Sequence, residues 1–260
     1  MVDGSLHHSR DAAAGSVAAA GGSPRLYRLR RAVAMLLVLA VFQLTQGLVS
    51  KRSEPATVAD GDSALQWLSP LSDWFWTHPH ASRWVLIVTS AMVDFTGFGL
   101  LACGSAGHST RALIGVAFIC LMRQLCVLLI AIPTPAHTMF RETGIPSLLV
   151  TYQTQNDFFF SGHTAISVYG MMELPRATAF RKSSSSRAVV RVTLVMHAAL
   201  QVFTVLVLRA HYSMDCVAGV LCAMGADYVA LWWAPAVDEW FVRPKKLGPE
   251  LVVQVKHRTE

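Results

Sequence analysis

The sequence predicts an all-α, polytopic membrane protein: a bundle of six transmembrane helices. Three observations predict it. Hydrophobic residues fill 53% of the 260 positions and charged residues only 15%, and the mean hydropathy is +0.43. A chain this long can bury a sizeable core, but this much apolar surface needs lipid as well. Apolar runs close to bilayer length recur along the chain. The basic residues behind the net charge of +6 stand in short clusters between those runs. That is the pattern of cytoplasmic loops, and it argues against a nucleic-acid surface.

Residues 1–24 are rich in Ala, Gly and Ser and carry no hydrophobic period, so they are expected to be a disordered cytosolic tail. Asp3 and Asp11 count against an acid-poor transit peptide. Arg25, Arg28, Arg30 and Arg31 precede the first apolar run, 32–49, which is expected to be a retained helix. Further runs follow at 84–103, 112–132, 158–174, 188–208 and 212–234. Most approach the ~20 residues that cross a bilayer at about 1.5 Å per residue. The fourth is short and holds His163 and Glu173. It is counted as a span from the spacing of its neighbours. The expected plan is a six-span domain over 25–240 and a cytosolic tail over 241–260. No internal repeat is visible.

Basic residues orient the bundle. The arginines before the first run, the loop with His108 and Arg111, the stretch Arg176, Arg181, Lys182 and Arg187, and Arg243, Lys245 and Lys246 fall on one side of six crossings. The opposite loops, 50–83 and 133–157, carry several acids, among them Glu54, Asp60, Asp62, Asp73 and Asp157. The positive-inside rule then puts both termini in the cytosol and residues 157–163 and 209–215 on the far, lumenal face. Cys103, Cys120, Cys126, Cys216 and Cys222 lie in or beside apolar runs and form no CxxC pair, so neither a disulfide framework nor a zinc site is expected.

The two far-side segments carry the chemistry. In Asn156-Asp157-Phe158-Phe159-Phe160-Ser161-Gly162-His163, Ser161 is a helix cap and Gly162 lets backbone approach an anion. The amides and dipole of a helix start favour phosphate. His163, in the first turn, is either an interfacial polar residue or a proton donor to a leaving oxygen. In Arg209-Ala210-His211-Tyr212-Ser213-Met214-Asp215, His211 and Asp215 are i and i+4 on a helix start. They are either a structural ion pair or a carboxylate-oriented nucleophile. Ionisable groups at membrane depth are costly, and three on two helices at one face favour the catalytic reading. Arg123, inside the third run, would pair with Asp94 or grip a phosphate by two hydrogen bonds. Arg209 would bind phosphate or snorkel. Asp157 would hold His163 or face a choline cation. Phe158, Phe159, Phe160 and Tyr212 would cage such a cation or simply pack at the interface.

These segments resemble the lipid phosphatase/phosphotransferase superfamily that includes type 2 phosphatidic acid phosphatases and sphingomyelin synthases. Ser161-Gly162-His163 opens the fourth run, and His211 with Asp215 opens the sixth. Arg123 with Pro133 ten residues on, Phe159 through His163, and Arg209 through Gly219 are most similar to the sphingomyelin synthase-like branch. Within that branch the closest likeness is to plant phosphatidylcholine:diacylglycerol cholinephosphotransferases. The resemblance covers 84–234. Two departures stand out: Val205 occupies the place of a phosphatase arginine, with no Lys-x6-Arg-Pro string, and Gln155-Asn156-Asp157 replaces the Cys-Gly-Asp of sphingomyelin synthases.

The resemblance implies a six-helix bundle of the phosphatidic acid phosphatase kind and a two-step head-group exchange without metal or cofactor. His163, His211 and Asp215 would be catalytic, and Arg123, Asp157, Ser161, Gly162, Arg209 and Tyr212 would bind substrate. Phosphatidylcholine would be the donor and diacylglycerol the acceptor, in the endoplasmic reticulum, with the Golgi next. The alternatives are a sphingolipid synthase using ceramide, a lipid phosphate phosphatase, and a non-catalytic lipid-binding membrane protein. The oligomeric state stays open.

Overall fold

A computed structural model describes residues 24–49, 61–107, 109–130, 132–141, 143–145, 147, 149, 159–176 and 184–242. The two expected tails lie outside these, apart from residue 24 and residues 241–242, as do Asp157 and Phe158. All regular structure among the described residues is helical. Helix α1 is Pro24–Val49, and the short α2 (Ser63–Trp67) and α3 (Ser69–Thr77) follow. Then come α4 (Pro79–Ala106), α5 (Arg111–Leu129), α6 (Gly162–Glu173) with a 3-10 turn at Leu174–Arg176, α7 (Ser184–Val207) and α8 (Ser213–Val242).

Every expected apolar run holds a helix. Four of these helices, α4, α5, α7 and α8, are long and apolar enough to cross a membrane. Helix α1 is not among them, and α6 cannot be. Its 12 residues span about 18 Å at 1.5 Å per residue, against ~30 Å of hydrocarbon. The run 158–174 thus yields a shorter helix than its hydropathy suggested, because Ser161 starts it late.

Apolar side chains point both ways. Leu100, Val93, Ile119, Tyr169, Ala165 and Ala226 build a common core, while Leu36, Leu44, Phe95, Leu129, Val192 and Leu221 are exposed on the outside. In water such a surface would aggregate; in lipid it is solvated.

The helix ends gather at two opposite ends of the bundle. At one, buried Arg31 of α1 donates to the carbonyls of Gly107 (2.6 Å), Cys103 (3.2 Å) and Ser109 in the α4–α5 connection. There Asp238, near the end of α8, accepts the Thr110 N–H at 2.7 Å and the Ser109 hydroxyl at 2.9 Å. Nearby, Arg111 pairs with Glu173 (3.1 Å) and Asp227 (2.7 Å), and Arg176 pairs with the same two carboxylates. At the opposite end lie the starts of α4, α6 and α8 and the ends of α5 and α7. Consecutive long helices are therefore antiparallel, and the residues of interest fall at the second end.

Candidate active site

Local rules build the site from two helix starts. Ser161 has extended backbone, and its hydroxyl accepts the Thr164 N–H at 3.3 Å, which makes it the cap of α6. His163 follows in the first turn. The second start needs a sharp reversal after α7. The amide of Ala210 reaches back to the Val205 carbonyl at 2.7 Å and that of Arg209 to Leu206 at 3.0 Å, a Schellman-type ending. Arg209 takes its left-handed position (φ 52°), which a non-glycine residue adopts only when its surroundings hold it there. This turn presents His211 two residues later.

His211 Nδ1 lies 3.1 Å from Asp215 Oδ2, and the same oxygen accepts the Tyr212 N–H at 2.9 Å. Asp215 is 1% exposed, so its carboxylate depends on these partners. The bond at Nδ1 puts Nε2 on the side of the His211 ring away from the Asp215 carboxylate. The two motifs are joined directly: the Ser161 N–H donates to the Asp215 carbonyl at 3.1 Å. Gly219 allows this approach. A Cβ there would stand 2.7 Å from the Ser161 carbonyl oxygen and 3.1 Å from Thr164 Cβ.

The His163 and His211 rings are 5.8 Å apart between centroids, and Phe140 packs edge-on to His163 at 5.4 Å. Neither nitrogen of His163, both covered, has a hydrogen-bond partner among the described residues. Both rings line a cavity enclosing about 860 Å³ of empty space, its open side included. Arg123 and Gly162 share that polar end, and the Arg123 side chain would lie 3.4 Å from a Cβ on Gly162. The rest of the wall is apolar and includes Leu39, Phe42, Val93, Leu101, Val116 and Ile119. A slot with a cationic, histidine-bearing end and an apolar body suits an anionic head group with a chain attached.

The other expected residues fall elsewhere. Ser161 is fully buried and spends its hydroxyl on the cap, where it also accepts from the Thr164 hydroxyl at 3.0 Å. Arg209 donates to the Ala136 carbonyl at 3.3 Å and does not line the cavity. Tyr212 packs on Leu65, also outside the cavity. Asp94 accepts from the Ser147 hydroxyl and the Leu149 amide, both at 2.9 Å.

One residue was missed. Asp62 accepts the Ala64 N–H (2.9 Å) and the Leu65 N–H (3.3 Å) on Oδ1, and the Ser213 N–H (2.6 Å) on Oδ2. Burial alone would raise its carboxyl, but the hydrogen bonds from Ser213, Leu65 and Ala64 outweigh that and hold it below the ordinary carboxylate value. The available signal was an aspartate directly before Ser63-Ala64-Leu65, the residue type of a helix cap.

Residues 155–229 match the family described as PAP2 superfamily C-terminal. The matched stretch, under a third of the chain, contains both histidines and Asp215 and supports the lipid phosphatase/phosphotransferase superfamily. Neither the curated proteins nor the solved structures contain a match.

Proposed function

We propose that the chain is a phospholipid head-group transferase that moves phosphocholine from phosphatidylcholine to diacylglycerol through a histidine-linked intermediate. The observation that carries this reading is the cavity whose apolar body ends on His163, His211 and Arg123 together.

In the first step Nε2 of His211, held by Asp215 through Nδ1, attacks phosphorus. A P–N bond forms and the P–O bond to the diacylglycerol oxygen breaks. His163 gives that oxygen a proton, so neutral diacylglycerol leaves into the bilayer. In the second step a new diacylglycerol hydroxyl gives its proton to His163 and attacks phosphorus. The P–N bond breaks, and both histidines return to their starting forms. Arg123 would hold the non-bridging oxygens through both steps. Covered walls favour a lipid hydroxyl over water as the acceptor. On the positive-inside reading this end faces the lumen, and the endoplasmic reticulum is the proposed compartment.

The test is purified protein in liposomes with head-group-labelled phosphatidylcholine, offered diacylglycerol or ceramide separately. Label in newly made phosphatidylcholine, lost in His211→Ala, is the expected result. Label in sphingomyelin would move the enzyme to ceramide. Water-soluble phosphocholine alone would make it a hydrolase, and no turnover with any acceptor would sink the choline assignment.

A further inference from the structure

Three contacts converge on the turn that carries His211, and all come from the segment 62–77. Asp62 accepts the Ser213 amide at 2.6 Å, and Leu65 packs on Tyr212. Ser72, 2% exposed, donates its hydroxyl to the Val207 carbonyl at 2.7 Å. Helices α2 and α3 thus lie as a strap along residues 207–213, from the last residue of α7 to the first of α8.

The chemistry of the turn explains why it needs an outside partner. Ser213 is the first residue of α8, and its amide is one of the orphan donors of a helix start. Tyr212, before it, has no short side chain to act as a cap. Asp215 Oδ2 is already engaged by the His211 ring and the Tyr212 amide. Asp62, 151 positions away, fills the gap while capping α2 with its other oxygen.

We propose that Asp62 is a positioning residue for the His211–Asp215 pair. It touches neither the cavity nor its contents and acts by fixing where α8 begins. This rests on the head-group transfer reading for its consequence in turnover, but its structural part is independent. Replacing the carboxylate by an amide leaves one acceptor for two sets of donors, so an NH2 group must face either the Ser213 amide or the α2 amides, at nearly unchanged size.

The test is Asp62→Asn in the full chain, purified and reconstituted beside wild type, with two readouts. The first is head-group exchange, resolved into kcat and KM. The second is the rate at which diethyl pyrocarbonate modifies His211, followed by mass spectrometry without substrate. The expected result is a kcat lower by about 10- to 100-fold, KM within about twofold, and several-fold faster His211 modification. Unchanged kcat, or unchanged modification of His211, would overturn the proposal. Should Asp62→Asn fail to fold, Asp62→Ser carries the same test, since it keeps a short acceptor for α2 but cannot reach Ser213. Absence of exchange in wild type would sink the transfer reading, and the modification rates would still decide the clamp.

Discussion

His211 and His163 play unlike parts although their rings are neighbours. His211 has a buried carboxylate behind it, while neither His163 nitrogen has a hydrogen-bond partner among the described residues. His211→Ala should therefore lower exchange by more than about 1000-fold while the melting temperature in detergent moves little. A large loss of folded protein would instead favour the structural ion pair. Asp215→Asn leaves at most one neutral oxygen where the carboxylate serves both the ring and the Tyr212 amide, so the charge behind Nδ1 is lost, and exchange should fall by about 100- to 10,000-fold at unchanged expression. Arg123→Lys keeps the charge and loses the fork, so KM for the phospholipid should rise with a smaller effect on kcat. The residue types and spacing of His163, His211 and Asp215 were legible because helix starts and i, i+4 pairing are local. The places of Arg209 and Tyr212 were not. Adjacency to His211 suggested a binding role; in the structure Arg209 donates to the Ala136 carbonyl and Tyr212 packs on Leu65, and neither lines the cavity.

Helices were legible wherever hydropathy ran long, and illegible where they were short. The stretch 50–83 read as a loop, yet Ser63–Trp67 and Ser69–Thr77 within it are helical. Its pattern is too brief to show a period, and its place depends on Val207 and Ser213, far away in sequence. Because the Asp62 carboxyl is held below its ordinary value, its contribution to stability is fully present above that value and is lost as pH falls through the lowered one. Thermal melts of wild type and Asp62→Asn should differ at pH near 6 and converge in strong acid. The packing of α6 on α8 makes a separate demand. Gly219→Ala places a methyl against the Ser161 carbonyl, which is backbone and cannot swing aside. A loss of about 1–3 kcal/mol in chemical denaturation is expected, with exchange falling as the two helix starts separate.

Across the whole molecule the seven tryptophans divide into two groups. Trp67, Trp74, Trp76 and Trp84 are exposed at the end bearing the candidate site, and Trp232, Trp233 and Trp240 are exposed on the later half of α8. From Ser213 to Trp232 the helix rises about 29 Å at 1.5 Å per residue, close to the hydrocarbon thickness. Two aromatic belts at the lipid–water boundaries are the natural reading. Single-tryptophan variants quenched by brominated lipids should report shallow depths for both groups, and deep quenching of either would displace the bundle in the bilayer. Alternating basic loops made this two-ended layout visible in the sequence. The start of α6 at the Ser161 cap was legible as well, although hydropathy alone did not separate residues 158–161 from the helix that follows them.

Membranes differ in thickness by several ångströms, and helices answer by tilting. The hydrogen bond from the Ser161 amide to the Asp215 carbonyl ties the heads of α6 and α8 to each other, and Arg111 and Arg176, each paired with Glu173 and Asp227, tie the far end of α6 to α8 as well. Because the bond lies within a few residues of both histidines, tilt acts on it through a very short lever arm. The gap between the two rings is therefore expected to change little from a thin bilayer to a thick one.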